Sequence, residues 1–135
     1  MKDVFGQSLY NYWKGDRRTS QIIRRDDGLV TEFSQKFFFA KKFYPTEKAV
    51  TPLIKGKILD VGCGAGRHVL HFQKRGFNIT GIDISPLAIQ ACKERGCEKV
   101  QVMDIFQPHL PATSLWAGNG RRLKSLSKAS SGIRK

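Results

Sequence analysis

The sequence predicts an α/β fold, a parallel sheet with flanking helices, and three observations carry that prediction. Three short apolar runs hold or end in a carboxylate: Ile58-Leu59-Asp60-Val61, Phe77 to Asp83, and Val100 to Asp104. Between them lie segments with an apolar side at helical spacing, each closed by a basic residue and a glycine, Arg75-Gly76 and Arg95-Gly96. The first run passes directly into Gly62-Cys63-Gly64-Ala65-Gly66, with glycines at alternate positions ahead of a helical segment. Strand-helix-strand-helix-strand is the order of a parallel sheet built from right-handed crossovers, which leave the strands' C-terminal ends on one side.

Residues 1–44 form an aromatic and basic extension that includes Phe5, Tyr10, Tyr12, Trp13, Phe33 and Phe37 to Phe39. Val4 to Lys14 reads as a short helix after Asp3, ended by Gly15. Arg17-Arg18 and Arg24-Arg25-Asp26-Asp27-Gly28 read as exposed loop. Pro45 to Ile54 reads as a helix ahead of the sheet, with Pro52 inside it. After the glycine turn, Val69, Leu70 and Phe72 give the segment from His68 to Lys74 its apolar side. Phe77 to Ile82 is the second strand. Ser85-Pro86 then opens the next helix, serine as N-cap and proline as first residue. Val100 to Met103 is the third strand.

The glycine turn is the chemical centre. Without a Cβ the backbone can turn sharply and approach a ligand closely, and the helix that follows presents unpaired N–H groups. That is a nucleotide-type cofactor site. A dinucleotide fingerprint wants a small residue where Arg67 stands, and a phosphate-binding P-loop wants Gly-Lys-Ser/Thr, which is absent. Asp83 lies twenty-one residues after Gly62, the spacing at which a strand-end carboxylate reaches ribose hydroxyls.

The run Asp60-Val61-Gly62-Cys63-Gly64-Ala65-Gly66 resembles the first motif of class I S-adenosylmethionine-dependent methyltransferases. Ile82-Asp83-Ile84-Ser85-Pro86 is similar to a common form of that family's second motif, and Asp104 stands where its third motif places an acidic residue. The resemblance spans residues 45–107. It implies a Rossmann-like sheet and S-adenosylmethionine as cofactor. Asp60 would then orient the methionine end, the backbone of Gly62, Gly64 and Gly66 would line it, and Asp83 would hold the ribose. Ile84 would pack on the adenine, Asp104 would accept from its amino group, and Ile105 would donate a backbone N–H to the ring. In such enzymes residues ahead of the first motif cover the cofactor; the aromatics of the extension either do that or staple it to the core, and the stapling reading is taken here.

Only the N-terminal, cofactor-binding half of such a sheet is clear, which divides the chain into an extension (1–44), a partial methyltransferase domain (45–110) and a basic tail (111–135). Leu115 to Gly120 reads as a remnant of the fourth strand, Gly120 to Lys128 as a short basic helix, and Ala129 to Lys135 as disordered. A chain cut short or altered after about Leu110 is the expectation. The methyl acceptor cannot be named, and no catalytic residue is assigned. His68, His71 and His109 are bases by type, and the first two read as ordinary helix residues.

With 135 residues the chain makes one domain at most. Its net charge is +13, from 24 basic against 11 acidic residues, which makes nucleic acid a possible partner and a basic RNA-binding module a rival function. The other rival is a catalytically inactive cofactor-binding or interaction fragment, able to self-associate through an open sheet edge. Cys63, Cys92 and Cys97 are an odd number without metal-ligand spacing, so they read as buried hydrophobes in a reducing cytoplasm, with no metal. No run is long enough to span a membrane.

Overall fold

The computed structural model of the chain describes residues 2–106, 114–117 and 121–123. The first helix, α1 (Val4–Trp13), begins at Asp3, whose Oδ1 accepts from the backbone N–H of Gly6 at 2.9 Å. A hairpin follows, β1 (Ser20–Arg24) antiparallel to β2 (Val30–Ser34), then a 3-10 turn over Gln35–Phe39. The hairpin was not expected: only Arg17-Arg18 and Arg24 to Gly28 were read there, as exposed loop. Its strands carry exposed residues on both faces, so no alternation marked them; Arg17-Arg18 and Asp26-Asp27-Gly28 are exposed turns as read, and of the expected loop residues Arg24 is drawn into β1.

Helix α2 (Pro45–Val50) is capped by its own Glu47, whose Oε2 accepts from the Tyr44 N–H at 2.6 Å. It gives way to a 3-10 turn at Thr51–Leu53, because Pro52 has no N–H to continue the α-helical ladder. Strand β3 (Ile58–Val61) runs into the glycine turn and α3 (Arg67–Gln73). Strand β4 (Ile79–Asp83) and α4 (Pro86–Glu94) follow. Ser85 caps α4 as expected, its Oγ accepting from the Ala88 N–H at 2.9 Å. Strand β5 (Val100–Val102) completes the strand-helix-strand-helix-strand order.

Two more strands join the sheet, β6 (Ser114–Ala117) and β7 (Arg121–Leu123), giving the order β5-β4-β3-β6-β7. β6 is parallel to β3, in register Ile58 to Ser114, so the fourth parallel strand read from Leu115 onward is present and covers the edge of β3. β7 is antiparallel to β6. Arg121 to Leu123 therefore forms a strand where a short basic helix was expected: ladder pairing with a neighbouring strand outweighs a weak helical pattern. The expectation of disorder after Ala129 lies outside the described residues, as does His109.

The sheet's two faces are packed differently. Ile58 and Ile79 sit side by side in the β3–β4 register and meet Val69 and Phe72 of α3 with Ile89 and Cys92 of α4. Leu59 and Ile82 lie on the opposite face with Val61, Met103 and Ile105 against them. The extension belongs to this structure. Leu9 of α1 is fully buried with Ala65 and Ala88, and Phe38 and Phe39 close over them. Glu94 of α4 receives three donors from α1 and its end: Tyr10 at 2.9 Å, Trp13 at 2.8 Å and Lys14 at 2.7 Å. The aromatics thus do staple the extension to the core.

Candidate cofactor site

The glycine turn folds as its composition dictates. Gly62, Gly64 and Gly66 have φ of 71°, 53° and 76°, the left-handed region that side chains rarely adopt. A Cβ at Gly62 would meet nothing within 4 Å, so this residue borders open space. A Cβ at Gly66 would lie 2.5 Å from the Cys97 sulfur and 2.9 Å from that of Cys92, so its glycine serves close packing instead. All three thiols are free and buried, and burial and mutual contact push those of Cys92 and Cys97 well above their ordinary range. They are inert packing groups, as small buried hydrophobes should be. Among the described residues no group of three metal-ligating side chains converges.

Three carboxylates mark successive strands. Asp60 lies beside Gly81 in the β3–β4 register, on the face that α3 covers. It is fully buried, and neither oxygen has a hydrogen-bond partner; the nearest cation-capable atom is Nδ1 of His68 at 3.9 Å. Burial pushes its carboxyl up to about 6, with Asp83 adding in the same direction and His68 opposing. An unpaired buried carboxylate is costly and calls for a cationic or donor group to meet it.

Asp83, at the end of β4, is buried and tied to the turn. Its Oδ2 accepts from the Gly64 N–H and its Oδ1 from the Ser85 N–H, both at 2.9 Å. A carboxylate has about four lone-pair sites, so two remain for a diol. Sequence reasoning saw a ligand group; the structure adds that Asp83 also fixes the glycine turn to α4. Beyond it, Ile84 is 71% exposed. The Met103 N–H donates to the Asp83 carbonyl at 3.0 Å, which brings the end of β5 alongside. Asp104 is exposed there, its Oδ1 accepting from the Phe106 N–H at 2.9 Å, and Ile105 packs inward against Leu59 and Ile82. The expected residues thus lie at three adjacent strand ends: an orphaned carboxylate, a glycine bordering open space, a buried carboxylate with two backbone donors and an exposed apolar side chain.

A second cluster escaped sequence reasoning. Arg67 donates to both oxygens of buried Glu47, and also to the carbonyls of Ala40 and Lys42 at 2.9 Å. Nε2 of His68 lies 2.8 Å from Glu47 Oε1. Burial alone would raise Glu47, but the hydrogen bonds from Arg67, the Tyr44 N–H and His68 outweigh it and hold the group at about 2. His68 therefore stands between Glu47 and Asp60. Arg67, which counts against a dinucleotide, is turned away to clamp residues 40–47 onto the start of α3. These contacts join residues about twenty apart, with no local pattern to reveal them. Gln35 is likewise fully buried with both polar atoms unpaired, and nothing in its sequence context signals that.

A mostly parallel sheet with its candidate ligand groups at the C-terminal strand ends, a glycine turn and a strand-end carboxylate defines a Rossmann-like nucleotide-cofactor domain. Residues 58–129, more than half of the chain, match the methyltransferase-domain family, and the chain belongs to it. A solved S-adenosylmethionine-dependent methyltransferase from Bacteroides fragilis, in complex with S-adenosyl-L-homocysteine, is 28% identical with a TM-score of 0.71, covering 82% of this chain and 46% of that one. A 23S rRNA (uracil(747)-C(5))-methyltransferase of Pyrococcus abyssi is 28% identical over 112 residues, 70% of this chain and 27% of the relative. DesVI of Streptomyces venezuelae, at 20% identity and a TM-score of 0.50 over 61% of this chain, shares the fold alone. The chain therefore spans less than half the length of these relatives. Among the described residues no helix is long and apolar enough to cross a membrane.

Proposed function

We propose that the chain holds S-adenosylmethionine across the C-terminal ends of β3, β4 and β5 and presents it for methyl transfer to an acceptor. The observation that carries this is Asp60: a fully buried carboxylate with both oxygens unpaired, beneath a glycine turn whose first residue borders open space. S-adenosylmethionine brings an ammonium for such a carboxylate, a ribose diol for Asp83 and an adenine for Ile84 and the Asp104-Ile105 backbone. When bound, it would supply a methyl group carried on a sulfonium. The chain's own residues bind and orient. Asp60 receives the cation, the backbone at Gly62 leaves clearance, and Asp83 holds both turn and ribose. The extension, through Leu9 and Phe38, covers the turn at Gly64 and keeps water from it.

No described histidine is offered as a base. His68 is buried against Glu47, and burial together with Arg75 pulls His71 down to about 4 while it stacks on Phe43 at 3.6 Å. Three free, buried thiols suit a reducing compartment, and the cytoplasm is the location we favour. A second reading is a half-enzyme that binds cofactor without turnover. That no described histidine is placed as a base favours that reading, and the outer edge of β5 is a place where another chain could pair.

Calorimetric titration with S-adenosylmethionine and S-adenosyl-L-homocysteine, with NAD as control, tests the cofactor assignment. Saturable binding of the first two alone is the expected outcome. No binding by a chain that circular dichroism shows to be folded would sink the proposal. Binding without methylation of any acceptor offered would favour the half-enzyme.

A further inference from the structure

Residues 40–52 and the outer stripe of α3 enclose a groove of about 850 Å³ that includes none of the glycines or carboxylates of the cofactor site. Arg67, Leu70, His71 and Lys74 form its floor, positions that share one helix face. Lys41, Lys42 and Lys48 rise on the facing bank, and no acidic side chain lines it. Lys41, Lys42, Lys48 and Lys74 are all exposed, and none pairs with a carboxylate of the described residues. Arg67, by contrast, is committed to Glu47 and to the carbonyls of Ala40 and Lys42, so it fixes the lysine-bearing loop to the helix. The banks are held while four exposed lysines line a common recess. A concave surface of one sign focuses its field and concentrates anions.

We propose that this groove binds the phosphate backbone of single-stranded RNA. The recess is concave, which suits a strand and not a flat lipid surface. Arg75 and Arg95 also line it, but Arg75 donates to the His71 carbonyl and Arg95 to the Ala65 carbonyl, so its uncommitted charges are lysines, flexible point charges that meet phosphates without reading bases. Phe43, its aromatic ring, is 7% exposed and stacked on His71, so it offers no anchor of the kind a protein partner would seat. Burial holds His71 neutral near neutral pH, which leaves the lysines to carry the contact. The groove stands apart from the cofactor site, so RNA binding needs no cofactor and can be measured whether or not S-adenosylmethionine binds.

The test is fluorescence anisotropy of the whole chain with a short labelled polyuridine across a salt series. Each phosphate contact on a single strand adds about 0.7 to the log–log salt slope, so removing three lowers its magnitude by about 2. The triple variant Lys42→Ala, Lys48→Ala, Lys74→Ala should show that loss and bind about tenfold or more weakly at low salt. A control triple elsewhere on the surface, Lys2→Ala, Lys36→Ala, Lys93→Ala, should change affinity by less than about twofold. Circular dichroism and cofactor titration would show both variants folded. Equal losses in the two triples, or no RNA binding by the folded parent, would overturn the proposal. Equal affinity for polyglutamate through the same lysines would overturn it in favour of an acidic protein.

Discussion

Asp60→Asn should stabilise the cofactor-free chain and weaken its hold on cofactor. Burial places the Asp60 carboxyl at about 6, against an ordinary 3.8 in the unfolded chain. A pKa raised by folding means that ionisation destabilises the folded state. The penalty is absent below about pH 4, grows as pH rises, and is complete above about pH 6, where it amounts to roughly 3 kcal/mol. Asparagine has no charge to desolvate, so the stability gap between variant and parent should widen by that amount between pH 4 and pH 8. In thermal unfolding at pH 8 this is a gain of about 10 °C for a chain of this size, less whatever the unpaired amide costs. An ammonium arriving at Asp60 removes the same penalty. Parent affinity for S-adenosylmethionine should therefore fall as pH drops below about 6, while that of the variant should be weak and flat. Differential scanning fluorimetry and calorimetry over the pH series measure both. A stability gap that does not change between pH 4 and 8 would refute the burial argument, and unchanged cofactor affinity in the variant would remove Asp60 from the site.

The two ends of the glycine turn should respond oppositely to alanine. Gly66→Ala drives a Cβ into two sulfurs at a φ of 76° and should cost about 3 kcal/mol or more in chemical denaturation; Gly62→Ala meets nothing and should cost only about 1 to 2 kcal/mol of backbone strain while sharply reducing cofactor binding. Asp83→Ala leaves the Gly64 and Ser85 N–H groups unpaired, so a loss of roughly 2 kcal/mol or more should accompany weaker cofactor binding, and a fully stable variant would contradict the geometry. Glu47, held at about 2 against an ordinary 4.5, contributes roughly 3 kcal/mol above pH 4.5 that is lost as pH falls toward 2. Glu47→Gln should remove that stability at neutral pH and flatten the acid limb of the unfolding profile.

The sheet from Ile58 to Val102 and its two crossover helices were legible because each rests on a local rule. A carboxylate ends the second strand, a Ser-Pro pair opens α4, and glycines make the turn. The hairpin at Ser20 to Ser34 was hidden because neither strand buries one face, so its residues show no period to read. Arg121 to Leu123 misled for a related reason: pairing to β6 is a property of the sheet, not of three residues. At the candidate site, spacing singled out Asp83 and the resemblance Asp60 and Asp104, but neither could show that Asp60 lacks a partner while Asp83 already has two. Satisfaction of a buried group depends on what the fold brings near it.

The same reasoning explains why the extension cannot be treated as an appendage to the cofactor half. Asp3 caps α1, and its Oδ2 also accepts from the Ser85 hydroxyl at 2.7 Å and the Leu87 N–H at 3.1 Å, so one carboxylate serves the starts of two helices. Hydrogen bonds from Ser85, Leu87 and Gly6 hold Asp3 below its ordinary value although burial acts against them. At the other end of the extension, Arg67 reaches back from the first turn of α3 to residues 40, 42 and 47. The helix after the glycine turn and the helix after Asp83 are therefore each positioned by residues that precede the sheet. Whatever aligns Gly62, Asp60 and Asp83 for a ligand is built partly from residues 1–47, and the buried contact of Leu9 with Ala65 makes that dependence physical.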